Sequence, residues 1–257
     1  MGAKEKTIKR NMEREEELEE VIQEFKDDVE SVGTKIIRHI GLTNYQLKWI
    51  AIITMVIDHT GYVLYPAYPI FRYIGRLSFP IFCFLLVEGF YHTGNVKKYA
   101  LRLGIFAILS EIPYDLAFHG KILEFGNGQN VFFTLLIGLL VLYVWERCRS
   151  LPVGIAAATA GMCLAALIKC DYSYTGVFLI WLIAFKRDQK PFMLFLAGIW
   201  NFLFYGKVQY WGAFACIPIA LYNGKRGRKM KYFFYIFYPV HLLILHFISL
   251  AMYGKPL

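Results

Sequence analysis

A chain of 257 residues that is 57% hydrophobic and 18% aromatic, with a mean hydropathy of +0.44, is too apolar for a soluble domain of that length and reads as an integral membrane protein. Its net charge of +9 is unevenly placed: residues 1–38 hold 11 acidic against 8 basic side chains, and the remainder holds 8 acids against 20 bases. Those bases sit in short breaks between apolar runs, as membrane anchors do, so there is no nucleic-acid footprint, and the scattered Cys83, Cys148, Cys163, Cys170 and Cys216 lack the spacing of a metal or redox site.

Residues 1–41 form the first unit. Leu18, Ile22, Phe25, Val29, Val32 and Ile36 are spaced 4, 3, 4, 3, 4, with Glu and Lys filling the other faces, which predicts one amphipathic helix. Such a helix lies on the bundle or the membrane surface, or joins two copies in a homodimer through residues 18–36. The segment is charged throughout and unlike a signal n-region, so the chain is expected to insert through its own first span.

Residues 42–257 form the second unit, for which the sequence predicts an all-α, polytopic membrane bundle. Apolar segments recur at 47–65, 77–91, 100–118, 130–145, 151–168, 174–185, 191–205, 210–222 and 232–252. Several are shorter than the ~20 residues an upright span requires and are expected to be broken, tilted or shielded. The even-numbered breaks between them hold thirteen bases and the odd-numbered breaks five. By the positive-inside rule the even breaks and the N-terminus lie in the cytoplasm, giving a multi-pass protein of the cell (inner) membrane.

With that topology the buried polar residues converge on the outer half. A charge in hydrocarbon costs a few kcal/mol and is usually retained for a reason. The first span carries Asp58 and His59, which point about 100° apart on a helix and are not themselves a dyad. Arg76 opens the second span from the outer side, and Glu88 lies toward its cytoplasmic end, where it can pair with Lys97 or Arg102. Glu111 and Asp115, four apart in "SEIPYDLAF", share a face of the third span, in a turn that Pro113 is expected to distort. Gln129 and Asn130, then Asp171 and Tyr172, add polar groups in the third and fifth breaks. His241 lies near mid-membrane in the last span.

Each has a structural alternative: Asp115 paired with Arg76, Asn130 as an N-cap of the fourth helix, His241 as a helix-to-helix hydrogen bond. The same charges would serve a transporter or proton-coupled channel, although residues 47–145 and 151–252 show no repeat of the kind transporters carry. A non-enzymatic scaffold docking through its first helix is the third reading.

The stretches "LTNYQLKWIAIITMVIDHTG", "RYIGRLSFPIFCFLLVEGFYHT", "RLGIFAILSEIPYDLAF", "QNVFFTLLIGLL" and "YPVHLLIL" resemble, in order, the motifs of the TraX family, membrane proteins named for acetylation of F pilin. The resemblance covers residues 42–245. A wider similarity links the chain to integral-membrane acyltransferases of surface polysaccharides, whose first helix carries an Arg, ten residues and then a His. Lys48 and His59 have that spacing, with Lys keeping the charge and losing the bidentate fork.

The resemblance implies transfer of an acetyl group from cytoplasmic acetyl-CoA, with no metal, to a hydroxyl or amine on an acceptor protein or glycan. His59 would be general base or the site of an acetyl intermediate. Asp115 or Glu111 would orient its imidazole, since Asp58 points elsewhere. Arg76, Gln129 or Asn130 would donate to the oxyanion. Asp171, His241 and Lys48 complete the expected substrate-binding set.

Overall fold

A computed structural model describes residues 2–122, 124, 126–203 and 206–254. In chain order the helices are α1 (Gly2–Ile40), α2 (Asn44–Val63), α3 (Ile70–Gly75), α4 (Ser78–Tyr91), α5 (Val96–His119), α6 (Val131–Cys148), α7 (Leu151–Leu167), α8 (Ser173–Phe185), α9 (Lys190–Leu203), α10 (Gly206–Gln209), a 3₁₀ turn (Tyr210–Ala215), α11 (Cys216–Ala220) and α12 (Lys231–Tyr253). Among the described residues there is no strand, only isolated parallel bridges pairing Leu42 with Tyr222 and Gln129 with Cys170. Each of the nine expected apolar segments falls on helix, although residues 204 and 205 of the seventh lie outside the described residues.

Local sequence explains where these helices begin and end. Thr43 and Gln46 form a reciprocal capping box on α2, and the Asn95 and Asn130 side chains accept backbone N–H groups at the starts of α5 and α6. Gly120 and Gly254 close α5 and α12 in the left-handed conformation. Pro113 sits inside α5 without interrupting it, and Glu111 and Asp115 on either side are both buried.

Three helical stretches are long and apolar enough to cross a membrane: Ile70–Tyr91, Val131–Cys148 and Tyr232–Tyr253. Leu151–Leu167, Ser173–Phe185, Lys190–Leu203 and Tyr210–Ala220 are apolar but shorter. Large apolar side chains face outward as well as inward, as with Ile108, Leu109, Leu167, Ile244 and Phe247, which suits helices solvated by lipid. The protein is thus a membrane protein.

Five helices close a ring, in the order α2, α4, α6, α5, α12 and back to α2. Helix α8 packs on the outside of α4 and α6, α7 covers α6 and α8, and α9 with the 3₁₀ turn closes against α8 and α4. The ring core is apolar, with Leu47, Ile81, Val87, Leu139, Leu142 and Leu242 wholly or almost wholly inaccessible. The stripe of α1 from Leu18 to Ile36 is exposed.

Close packing of α6 against α8 depends on Gly138, where an added Cβ would fall 3.2 Å from Ile180 Cβ. Gly138→Ala is expected to cost about 1–3 kcal/mol by overpacking, seen as a lower Tm in detergent. Gly104→Ala on α5, whose Cβ would meet Leu136 Cδ2 at an ordinary 3.7 Å, serves as the neutral control.

Candidate functional site

The turn at residues 64–69 folds α3 back against α2, and the approach is close enough that a Cβ at Gly75 would collide with the Asp58 side chain. That contact seats a buried carboxylate between two guanidinium groups. Arg72 Nη1 donates to Asp58 Oδ2 at 2.6 Å, Arg76 Nε donates to Oδ1 at 3.1 Å, and Arg76 Nη2 also reaches Oδ2. Arg76 Nη1 lies 3.5 Å from Gln209 Oε1, and Gln209 Nε2 in turn donates to Asn201 Oδ1 at 3.1 Å. Arg72 lies over the Tyr62 ring at 4.8 Å, Arg76 over Tyr172 at 5.7 Å. Asp58 is therefore engaged in charge pairing, and Arg76 pairs with it rather than with Asp115.

One residue further along α2, His59 meets α12. Its Nδ1 lies 2.7 Å from His241 Nε2, with the rings nearly parallel, and His241 Nδ1 lies 2.9 Å from the Phe237 carbonyl oxygen. A carbonyl only accepts, so His241 Nδ1 carries the hydrogen; in a neutral ring its Nε2 is then bare and accepts from His59 Nδ1–H. The lone pair of His59 is left on Nε2, which has no hydrogen-bond partner among the described residues. His59 is half-buried and lines a cavity of about 260 Å³ together with Arg72, Arg76, Tyr114, Asp171 and Tyr172.

The carboxylates expected to orient His59 are engaged elsewhere. Glu111 Oε2 accepts from Asn130 Nδ2, which also donates to the Ala107 carbonyl at 2.7 Å, while Asn130 Oδ1 caps α6 through Phe132 N at 3.1 Å. Asn130 is thus the N-cap, with its amide committed, and is not an oxyanion donor. Asp115 Oδ2 accepts from Glu124 N at 2.7 Å. His241, expected to bind substrate, takes the orienting position instead. Glu88 pairs with Arg187 at 3.0 Å and not with Lys97 or Arg102.

The loop from Lys169 to Ser173 completes the cavity wall under visible constraint. Lys169, Tyr172 and Ser173 all have left-handed backbones, at φ of 53°, 59° and 43°, which costs a non-glycine residue of order 1 kcal/mol or more. The loop is held there by Gln129 N on the Lys169 carbonyl at 3.0 Å, by Asp171 N on the Gln129 carbonyl at 2.7 Å, and by Thr134 on the Asp171 carbonyl. Gln129 acts through its backbone in this bridge. Tyr172 stacks on Phe79 at 3.6 Å. Burial pushes the Asp171 carboxyl up to about 6, with the Arg76 guanidinium pulling the other way.

Lys48 lies away from this cavity. It lines a second one of about 320 Å³, beside Tyr99, Arg102, Arg226, Arg228 and Lys229, and its ammonium sits 5.1 Å over the Phe234 ring. Pairing of Leu42 and Asn44 with Leu221 and Lys225 holds the basic loop at this mouth. Among the described residues no group of three His, Cys, Asp or Glu is placed to hold a metal. Sequence reasoning missed the parts played by Arg72 and Gln209. Arg72 is detectable by its spacing, four before Arg76 on one helical face; "KVQYW" around Gln209 carries no such signal.

Comparison with known proteins gives a match to the family model described as TraX protein over residues 43–249. The chain is 30% identical over 236 residues to the probable fimbrial assembly protein FimC, serogroup H1, of Dichelobacter nodosus, covering 81% of this chain and 96% of the relative. It is 34% identical over 107 residues to an uncharacterised protein of Rickettsia prowazekii (strain Madrid E), covering 41% of this chain and 39% of that one. No solved structure matches.

The clamp yields a stability prediction. Asp58→Asn removes the carboxylate that two half-buried guanidinium groups share and should cost about 1–3 kcal/mol, whereas His59→Ala, at the cavity edge, should cost less. Chemical denaturation in detergent micelles compares the two, and an Asp58→Asn protein of unchanged stability would contradict the structural role given to Asp58.

Proposed function

From its place in the TraX family, to which this chain belongs, we propose that it is a membrane acetyltransferase moving an acetyl group from cytoplasmic acetyl-CoA to a hydroxyl or amine of an extracytoplasmic or membrane-associated acceptor. The observation that carries the proposal is the chain from the Phe237 carbonyl through His241 to His59, which presents a bare imidazole nitrogen to a cavity that Arg72, Arg76 and Asp171 also line. The proposal includes a multi-pass arrangement with the N-terminus in the cytoplasm, supported by the alternation of basic breaks. The relative named for fimbrial assembly points to an exported filament subunit as one such acceptor, with a surface glycan as the other class.

In this arrangement the basic cavity around Lys48, Arg226 and Arg228 opens to the cytoplasm and takes the anionic phosphates of the donor, with Tyr99 and Phe234 offering faces for its adenine. His59 Nε2 removes the proton from the acceptor oxygen or nitrogen as that atom attacks the thioester carbonyl. The tetrahedral intermediate collapses with breakage of the carbon–sulfur bond, and the departing sulfur takes the proton from His59. The products are the acetyl ester or amide and CoA thiol. His241, as acceptor from His59 Nδ1, keeps the lone pair aimed at the cavity and stabilises the imidazolium while it exists.

Oxyanion stabilisation falls to Arg72 in preference to Arg76. Arg76 has three nitrogens engaged by Asp58 and Gln209, whereas Arg72, which also lines the cavity, commits Nη1 alone to Asp58. The transporter reading, a relay through Asp58, His59, Glu111 and Asp115, is the less supported one because residues 47–145 and 151–252 show no repeat of the kind transporters carry.

Titration of the detergent-purified protein with acetyl-CoA and CoA tests the proposal. His59→Ala should retain donor binding and lose about 10²–10⁴ in acetyl transfer. Arg226→Glu with Arg228→Glu should weaken binding of both nucleotides and leave the protein folded. Absence of binding to folded wild-type protein would overturn the acetyltransferase reading.

A further inference from the structure

The two cavities are walled by the same five ring helices and lie end to end along them. On α2, Lys48 belongs to one cavity and His59 to the other, eleven residues or about 16 Å apart along the helix. On α12 the cavities divide between Tyr235 and Tyr238, and on α6 between Phe132 and Val131. On α4, Phe79 faces the His59 cavity and Leu86 the Lys48 cavity. Phe82, one turn from each, is the single described residue that lines both.

Phe82 is built differently from its neighbours. Ile81 and Cys83 are wholly buried, whereas Phe82 keeps surface open, and that surface is cavity wall on either side. Aromatic rings also line the two cavities where they divide on α6 and α12: Phe132 packs edge-on against Tyr238 at 5.1 Å and stacks with Tyr235 at 6.1 Å, and both Phe132 and Tyr238 are buried. The Phe82 ring therefore lies between a basic mouth and a bare imidazole, as the described residue that walls both cavities.

We propose that Phe82 is the partition through which the donor's acyl end reaches His59, and that its ring sets the length of acyl group the protein accepts. The inference rests on the acetyltransferase reading above. A donor anchored by its phosphates at the Lys48 end must lay its thioester past this ring. An acetyl group adds only one methyl beyond the carbonyl, whereas a longer chain needs volume that the Phe82 ring occupies. Because an aromatic ring turns about two torsions without moving the helix, it excludes the longer chain by filling space and leaves the phosphate site untouched.

The test measures affinities of CoA, acetyl-CoA and hexanoyl-CoA for full-length protein in detergent, for wild type, Phe82→Ala, Phe82→Leu and Phe82→Trp. Phe82→Leu guards against loss of folding in Phe82→Ala, and CoA itself reports whether the phosphate site is intact. The expected result is that wild type prefers acetyl-CoA over hexanoyl-CoA, and that Phe82→Ala and Phe82→Leu shrink this preference by about tenfold or more with CoA affinity unchanged. Phe82→Trp should bind CoA and exclude both acyl donors. If the wild type binds CoA and the acyl preference is the same in every variant, the partition is wrong and the acetyltransferase reading stands. If the wild type binds none of the three, both fall.

Discussion

The arrangement hangs on one carboxylate held by two guanidinium groups inside a bilayer-sized bundle. A carboxylate as buried as Asp58 needs a counter-charge, and Arg72 and Arg76 supply it. Satisfying all three forces α3 against α2, which only a glycine at position 75 permits. Once the hairpin is closed, the adjacent residue on α2 is turned toward α12, and His59 meets His241. Arg76 simultaneously draws Gln209 and Asn201 inward, so the 3₁₀ turn and α9 are tied to the same centre. The two guanidinium groups face Asp58 on one side and share the cavity wall with Asp171.

Much of this was legible in the sequence, for a physical reason. Apolar runs in a lipid-facing protein must be helices, because an irregular backbone there would leave its amides unpaired, so the positions of the segments were readable even where their lengths fell short of a span. Asp58, Glu111 and Asp115 were readable as buried because they interrupt those runs. What the sequence withheld was who pairs with whom. The His59–His241 contact joins residues 182 apart, and Arg76 reaches Gln209 across 133. No periodicity encodes such pairs. Reasoning by shared depth therefore placed Asp115 beside Arg76 and a carboxylate beside His59, where the structure places Asp58 and an imidazole. Asn130 was expected to donate to the oxyanion, with a cap as the alternative, and the structure shows the cap, its amide donating to Ala107 and Glu111.

A histidine partner in place of a carboxylate alters the character of the base. A carboxylate would add negative charge behind the imidazole and favour its protonated form, whereas a neutral imidazole orients without that bias. The Lys169–Ser173 loop makes a similar trade: three left-handed residues are tolerated because Gln129 and Thr134 hold the loop from behind, and the return is Asp171 and Tyr172 fixed on the cavity wall.

The seam between Gly41–Leu42 and Leu221–Asn223 carries one more implication. It joins the foot of α1, a helix of 39 residues, to the loop that bears Arg226 and Arg228 at the mouth of the basic cavity. Its hydrogen bonds hold Gly41 and Leu42 against Leu221 and Asn223, so the point where α1 ends and the base of the Arg226 loop share one anchor in the backbone.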